Sequence, residues 1–512
     1  MKGDTIGRVL DDVVAVDPDR TALIIAGVAT SFGQLANATD QAAAGLRAAG
    51  VKPGWRVPVV DDASVLAVAS LIGATQVGAA TALMNPRLTG GELALMMEAA
   101  GTASTGVAGS AYAAVAAEAG MEPVLGSTAL LRGPGLHPTE RIAPAPTDDA
   151  VVLFTSGTTG TPKAVPLTHG SLAPRVASFS PSVDAVPAVS ILCVPLVHVG
   201  GMLGLLVALA RGSTTVVQTR FDAGAWLALV ERHAVTTAFV VPTMLYRILE
   251  HPDFSTTDLS SLTTLTYGAA PASPELIRRA MASLPGVALT NTFGQTETMG
   301  SITALGPGDH PPERLASVGQ PLPGVEIRIV HPTTGEEVPP GTVGELWVRS
   351  DVVVVPDAPT AGTEGDGPGG GDRLTSSGWF RTGDMVSADS EGYLFPAGRL
   401  SDTINRGGEK FAPAEVEDVV RTHPAVRDVA AFGVPDAEMG HRVGVAVVAA
   451  ASLDLEQLRQ FCVGRLANFK QPERLLVLTE LPITDFGKVD RKSLRARFAE
   501  ERSPTHNDRS HL

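Results

Sequence analysis

Apolar positions in the first 150 residues recur at helical spacing, in runs separated by short apolar stretches that glycine and proline bound. Ser31 with Gln34 three residues on has the pattern of a capping box, and Leu35, Ala38 and Ala42 behind it share one face, which predicts a helix starting there. The next stretch, GLRAAGVKPGWRVPVV, predicts a helix end, a turn at Gly50, a turn at Pro53–Gly54 and then a strand. ASVLAVASLIGATQVGAATALMN repeats that order with an alanine-rich helix, a glycine stop and a short strand. The alternation continues through residues 171–330, where Trp226, Leu229 and Val230 fall on one helical face, and TTAFVVP (236–242) and LTTLTYGAAP (262–271) read as strands running into loops. Alternating strands and helices imply helices laid over mostly parallel sheets. Ligands of such sheets bind beyond the carboxyl ends of the strands, so the loops after these two strands are candidate site walls.

From Pro323 the pattern changes. VEIRIV, GELWVR and GYLFPAGR are short strands between Gly/Pro turns, which predicts a small β-rich subdomain. Within it, residues 356–372 are rich in Gly, Pro and acid and read as a disordered surface insertion. After Arg399 comes an α+β module. AEVEDVVRTHP reads as a helix, VRDVAAFGVPD as a strand and turn, and HRVGVAVVAA as a strand. In LDLEQLRQFCVGRL, Leu455, Leu458, Cys462 and Leu466 share one helical face, which makes Cys462 a core residue. The expected architecture is a large N-terminal α/β domain over residues 1–400, with parallel sheets, helices and the β-rich subdomain. A small α+β C-terminal domain follows over 401–502, and 503–512 form a polar, disordered tail.

Size and charge narrow the function. At 512 residues the chain exceeds one ordinary domain, and a hydrophobic fraction of 44% supplies ample core. A net charge of −15 argues against nonspecific nucleic-acid binding, which needs a basic face. Two cysteines, Cys193 and Cys462, imply no disulfide framework and fit a cytoplasmic protein. Residues 191–210 are apolar enough to suggest a membrane span, but Pro195, His198 and Gly200–Gly201 interrupt them, so a strand, a loop and a core helix are expected instead.

The chemistry gathers around FTSGTTGTPKAVPLTH, residues 154–169. An apolar strand, Ala150 to Phe154, runs into Thr155, Ser156, Gly157, Thr158, Thr159 and Gly160, with Lys163 just behind. Hydroxyls and exposed backbone N–H groups at a glycine-rich turn cradle phosphate oxygens, and a lysine adds charge. The string does not fit GxxxxGK[ST], so it is no P-loop of the usual NTPase kind. The competing reading is a flexible linker.

The same string resembles the signature loop of the adenylate-forming superfamily, which contains acyl-CoA synthetases, adenylation domains of peptide synthetases and beetle luciferases. Other motifs of that family follow in order along nearly the whole chain. PLVHVGG resembles the segment bordering the acyl site, which implies that His198 orients the substrate carboxylate. TYGAAP and NTFGQTE resemble the adenine-binding segments. They imply nucleotide contacts from Gly268, Ala269, Ala270, Asn291, Thr292, Phe293 and Gly294, with the base against the backbone at Gly268 and Ala270. Phe293 stands where relatives commonly have Tyr, either stacking on adenine or packing in the core. Thr296 would donate to the α-phosphate, and Glu297 would hold Mg²⁺ bridging ATP phosphates. GWFRTGD ends in Asp384, whose carboxylate would take both ribose hydroxyls, with Arg399 as a second contact. INRGGEKFAPAEVE resembles the segment beside the pantetheine tunnel, with Gly407 and Gly408 allowing close approach of CoA. ITDFGKVDR resembles the C-terminal Gly-Lys motif, and Lys488 would meet the charge that builds in adenylation.

Four departures are visible. No FD pair, which would grip an amino-acid ammonium, stands near His198. A GYxxxPE-like stretch is replaced by the Gly-rich insertion. FG replaces the commoner small-residue–Gly pair before Lys488. Ser401 stands at the hinge where relatives carry Asp or Lys. The resemblance implies an AMP-forming acyl-CoA synthetase using ATP, Mg²⁺ and CoA on a small carboxylic acid, with Lys488, His198, Glu297 and Thr155 catalytic. It also implies a small domain that rotates between the two half-reactions. The alternatives are an adenylating enzyme that loads a carrier protein or stops at acyl-AMP, and a nonenzymatic nucleotide-binding homologue. The apolar or small stretches at residues 240–245 and 299–302 fit many acids and contain no arginine.

Overall fold

A computed structural model describes residues 5–131, 135, 137, 140–156, 162–179, 188–354, 373–407, 409–436, 438–483 and 489–500. The expectations for the insertion at 356–372 and the tail at 503–512 lie outside these residues. The chain divides into two compact units, residues 1–326 with 349–380, and residues 327–348 with 381–512.

The first unit is built on two sheets. In the six-stranded sheet the order is Val124–Leu125, Gly106–Ala108, Arg56–Val60, Ala80–Met84, Asp149–Ser156 and Pro162–Thr168. All of its pairs are parallel except the last, which is an antiparallel hairpin. The nine-stranded sheet runs Gln320–Pro321, Gly300–Leu305, Ala288–Gln295, Thr264–Gly268, Thr237–Val240, Val189–Leu192, Thr214–Val217, Thr21–Ile25 and Val28–Ser31. Its centre is parallel and both edges are antiparallel. The helix Phe32–Ala48 opens with the capping box of Ser31 and Gln34 and buries Leu35, Ala38 and Ala42. Against it lies Val65–Gln76, buried from Leu66 to its end, which accounts for its lack of charged residues.

The apolar run at 191–210 is a strand end, a loop and the helix Val199–Arg211. Among the described residues no helix is long and apolar enough to cross a membrane. The strand Thr237–Val240 differs from expectation at its end, because Pro242 is the first residue of the helix Pro242–Glu250 and no loop intervenes.

The second unit holds two further sheets. One has the order Glu326–Val330, Gly344–Arg349, Phe380–Ala388, Leu394–Arg399. In the other, Val426–Asp436 pairs with Gly440–Ala449, which also pairs with Ile404–Arg406 and Arg474–Leu478. VRDVAAFGVPD is strand throughout, with no turn inside it. The helix Leu455–Cys462 buries Leu458 and Cys462 as expected. It stops at Cys462, because Gly464 takes φ +74° two residues on, and Leu466 reaches the same core from outside the helix.

Three buried or half-buried histidines hydrogen-bond to segments distant in sequence. Nδ1 of His169 lies 3.2 Å from the Thr5 hydroxyl and accepts from Ile6 N–H at 3.5 Å. His310 Nε2 lies 3.1 Å from the Tyr267 hydroxyl, and His441 Nδ1 accepts from Asn405 N–H at 3.1 Å. Burial holds all three below the ordinary histidine value of 6.5. A base whose folded-state pKa is depressed contributes stability that is present above the unfolded value and is lost as pH falls through the folded one. Denaturant unfolding is therefore expected to show lower stability at pH 5.5 than at pH 7.5, and His169→Asn is expected to narrow the difference. Equal stability at the two pH values, or a gap unchanged in the variant, would contradict this.

Candidate active site

The hairpin of the six-stranded sheet carries the start of the string 154–169. Thr155 faces Lys163, and Ser156 faces Pro162 across the antiparallel pair. Lys163 is thus a strand residue opposite Thr155, beyond the turn. Cross-strand partners project to one face, so the hydroxyl and the ammonium share a side of the sheet. Both residues are half-buried. Gly157, Thr158 and Thr159 lie outside the described residues.

The two adenine-type segments lie side by side in the nine-stranded sheet, with Tyr267 paired to Asn291 and Gly268 to Thr292. A Cβ on Gly268 would stand 2.1 Å from the Thr292 carbonyl oxygen. The neighbouring strand alone is therefore sufficient reason for this glycine. Gly294 is constrained in the same way by the Gly300 carbonyl oxygen, 1.8 Å from its Cβ position. Asn291 is buried and its Nδ2 donates to Ser317 O at 2.8 Å, so the amide holds the turn at 317. Thr292 and Phe293 are half-buried at the strand's carboxyl end. Directly beyond Gly268, Ala269 is exposed and takes φ +65°, and Ala270 is half-buried. A non-glycine residue in that region costs about 1 kcal/mol or more, a strain that clusters at ligand sites. Nothing in the residue type announces it.

The strand Ala288–Gln295 ends in the short turn Thr296–Thr298. Thr298 locks this turn. Its hydroxyl accepts from Gln295 N–H at 3.0 Å and donates to Gly300 O at 2.8 Å, and Met299 follows at φ +45°. Thr296 is half-buried, whereas Glu297 is 5% exposed. The carboxylate of Glu297 is held by Arg373 Nη1 at 2.5 Å, and Arg373 Nη2 donates to Gln295 Oε1 at 3.0 Å. The guanidinium also lies 4.6 Å over the Phe380 ring. Sequence reasoning missed Arg373, which stands far from Glu297 in the chain. His198 immediately precedes the helix Val199–Arg211 and is half-buried, with its carbonyl accepting from Met202 N–H at 2.9 Å.

The Glu297 carboxylate faces a cation in this structure. That cation is the guanidinium of Arg373. Among the described residues no group of three or more His, Cys, Asp or Glu is placed to hold a metal by itself. One protein carboxylate completed by phosphate oxygens and water is the usual arrangement for Mg²⁺ bound with a nucleotide, and this donor set fits it.

In the second unit, Asp384 and Arg399 are cross-strand partners, with Asp384 Oδ1 2.9 Å from Arg399 Nε. Asp384 is buried, and Thr382 fixes its backbone by accepting from Asp384 N–H at 3.0 Å. Gly407 takes φ +59° and donates its N–H to Met439 O at 2.8 Å, and a Cβ there would meet Met439 Cε at 2.9 Å. The turn and Met439 are thus sufficient reason for this glycine. Ser401 is exposed in the turn Leu400–Asp402. Gly408 and Lys488 lie outside the described residues. Across the undescribed residues 484–488, Ile483 bridges Val489 and Asp490 N–H donates to Pro482 O at 2.8 Å.

The family model for AMP-binding enzymes matches residues 10–355, and the model for the AMP-binding enzyme C-terminal domain matches residues 415–488. The chain belongs to the AMP-binding enzyme family. Within this adenylate-forming family it is similar to a feruloyl-CoA synthase of an Amycolatopsis species, 34% identical over 496 residues that cover 94% of this chain and 97% of that one. It is also similar to the fatty acid–[acyl-carrier-protein] ligase ScoC of Streptomyces coeruleorubidus, 32% identical with 94% of both chains covered. Among solved structures it resembles o-succinylbenzoate CoA synthetase of Bacillus subtilis in complex with an acyl-adenylate. There the TM-score is 0.82 and the identity 27%, with 95% of this chain and 98% of that one covered. The same enzyme with ATP and magnesium ion aligns at a TM-score of 0.81, with 27% identity over 95% of this chain and 99% of that one.

Proposed function

We propose that this family member is an AMP-forming acyl-CoA synthetase. A carboxylic acid attacks the α-phosphate of ATP to give acyl-adenylate and pyrophosphate, and the thiol of CoA then displaces AMP to give the thioester. The observation that carries the reading is the buried carboxylate of Glu297, locked by the Thr298 turn at the end of an adenine-type strand and already opposing a cation. Mg²⁺, when bound, supplies charge neutralisation on the phosphate oxygens. Thr155, Ser156, Gly157, Thr158, Thr159 and Lys163 hold phosphate oxygens, and Thr296 donates to the α-phosphate. Residues 268–270 and 291–294 flank the base, and His198 orients the acid. In the second unit, Asp384 accepts from the ribose hydroxyls, Arg399 steadies that carboxylate, and Gly407 and Gly408 border the path of pantetheine. No side chain acts as a nucleophile; positioning and charge stabilisation supply the rate. We place the functional boundary at residues 400 and 401, between the segments that the two family models match, so that 1–400 and 401–502 act as the two domains.

The similarity to a feruloyl-CoA synthase and to a carrier-protein ligase keeps two acceptors in view, and of these we assign free CoA. The test gives purified protein its best acid with Mg·ATP and CoA and follows products by mass spectrometry. Acyl-CoA is expected. Acyl-AMP accumulating without thioester, with thioester appearing only when a carrier protein is added, would transfer the assignment to carrier loading.

A further inference from the structure

The central strands of the nine-stranded sheet keep one face open. Along Thr237–Val240, Thr264–Gly268 and the first half of Ala288–Gln295, half-buried residues alternate with buried ones. The buried set, which includes Ala238, Leu265 and Leu289, packs with the helices Ala223–His233, Pro242–Glu250 and Pro274–Ser283. The other face presents Phe239, Thr266 and Thr290, cross-strand neighbours in one row and all half-buried. The connections explain the difference. The helix Val199–Arg211 joins Val189–Leu192 to Thr214–Val217 in one direction across the sheet, and the chain then returns the other way to Thr237–Val240. Right-handed crossovers in opposite directions put their helices on opposite faces, which makes this a switch point of the sheet. Val199–Arg211 therefore lies on the face that the three later helices leave open.

That helix bridges the open face rather than filling it. In its first turn Gly200 meets the rim of the Phe239 ring, whose Cε1 and Cζ lie 3.4 and 3.7 Å from the glycine's Cβ position. On the other side Gly300 faces the same helix, with Leu203 Cδ2 at 3.5 Å and Val199 Cγ2 at 3.9 Å from its Cβ position. The strands that carry Thr266 and Thr290 lie between these two contacts in the sheet order. One turn further along the helix, Gly204 is exposed with nothing within 4 Å of its Cβ position, although Leu203 and Leu205 beside it are buried. Gly200 and Gly204 stand four residues apart on one helix face, and their missing side chains leave room between helix and strands. Phe239, Thr266 and Thr290 stay accessible in the middle of a sheet for this reason. The Thr266 and Thr290 hydroxyls make no hydrogen bond with a described residue. Thr266 stands two residues before Gly268, about 7 Å back along the strand, so the row runs from the adenine-type segment into the sheet. A methylene chain laid over these hydroxyls would strip them of water and leave them unpaired, whereas a hydroxyl on the acid would restore the bond.

We propose that the acyl group of the substrate lies over Phe239, between the Gly200–Gly204 face and the strands, and that Thr266 and Thr290 are specificity-determining residues that hydrogen-bond a hydroxyl on that group. Hydroxylated acids are then preferred to their unsubstituted parents. This rests on the acyl-adenylate reading above. The test is ATP–pyrophosphate exchange with matched pairs: 4-hydroxybenzoate with benzoate, 4-hydroxycinnamate with cinnamate, and 6-hydroxyhexanoate with hexanoate. It is run on the unaltered protein, on Thr266→Val, on Thr290→Val and on the double variant. Valine keeps the branched shape that suits a strand and removes only the hydroxyl. The unaltered protein is expected to favour the hydroxylated member of at least one pair in kcat/KM by about 10-fold. The double variant should lose this preference through KM for the hydroxylated acid, while exchange with the unsubstituted acid stays the same or improves. Thr266→Ser, which restores a hydroxyl, should keep the preference. Variants that merely disturbed the strand would slow both members of a pair alike. A preference that survives in the double variant, or an unaltered protein that favours no hydroxylated acid in any pair, overturns the roles of Thr266 and Thr290 and leaves the acyl-adenylate reading intact. Absence of exchange with every acid overturns both. If the double variant fails to fold, the single variants decide, since at least one is expected to lose about 3-fold of the preference.

Discussion

Replacing Lys488 by alanine is expected to lower the rate of adenylate formation by about 10²–10³-fold, the loss typical of removing a preorganised group from developing transition-state charge. Thioester formation from supplied acyl-AMP and CoA is expected to change by less than about 5-fold. Lys488 follows Gly487 in the motif ITDFGKVDR, and the described residues after it are anchored. Arg491, three residues on, donates to Ala431 O at 3.1 Å and to the Glu417 carboxylate at 2.6 Å. Alanine is thus expected to remove the charge without disturbing the unit, which a thermal melt checks. A lysine that serves one half-reaction only is what a small domain with two working positions requires. Single-turnover measurements of the two half-reactions separate the cases, and equal losses in both would argue against alternation.

The second large effect is expected at Glu297. Glu297→Gln keeps the shape and one acceptor but removes the charge. Adenylation should fall by about 10²-fold, with partial recovery at high Mg²⁺ as weaker metal binding is overcome by concentration. Arg373→Ala is the informative contrast. It leaves the buried Glu297 carboxylate without its guanidinium, and stability without ligand should fall by about 2 kcal/mol. Mg·ATP should then restore more stability in Arg373→Ala than it adds to the unaltered protein, because the ion takes the place of the guanidinium. Denaturant unfolding with and without Mg·ATP reads this directly. Equal ligand stabilisation in both proteins would show that metal and guanidinium do not share the carboxylate.

Much of the fold was legible in local pattern. The capping box at Ser31 and Gln34, the glycine stops at Gly50 and Gly78 and the burial of Cys462 all follow from interactions within one turn or one face. What escaped depended on partners distant in sequence. Lys163 is a strand residue because Thr155 pairs with it across a hairpin, and Gly268 is glycine because of the Thr292 carbonyl. The helix at Leu455 ends at Cys462 because Gly464 turns left-handed. The motifs pointed to candidate site residues, but Arg373 carries no motif. It is recognisable only once the chain has brought it to Glu297.

The fate of ATP decides whether the protein forms adenylates. Purified protein, Mg·ATP, CoA and a panel of mono- and dicarboxylic acids are incubated, and the nucleotide products are separated by chromatography while pyrophosphate and phosphate are quantified. AMP and pyrophosphate are expected, formed in equal amounts and only when an accepted acid is present. ADP and phosphate without AMP would contradict the adenylate mechanism.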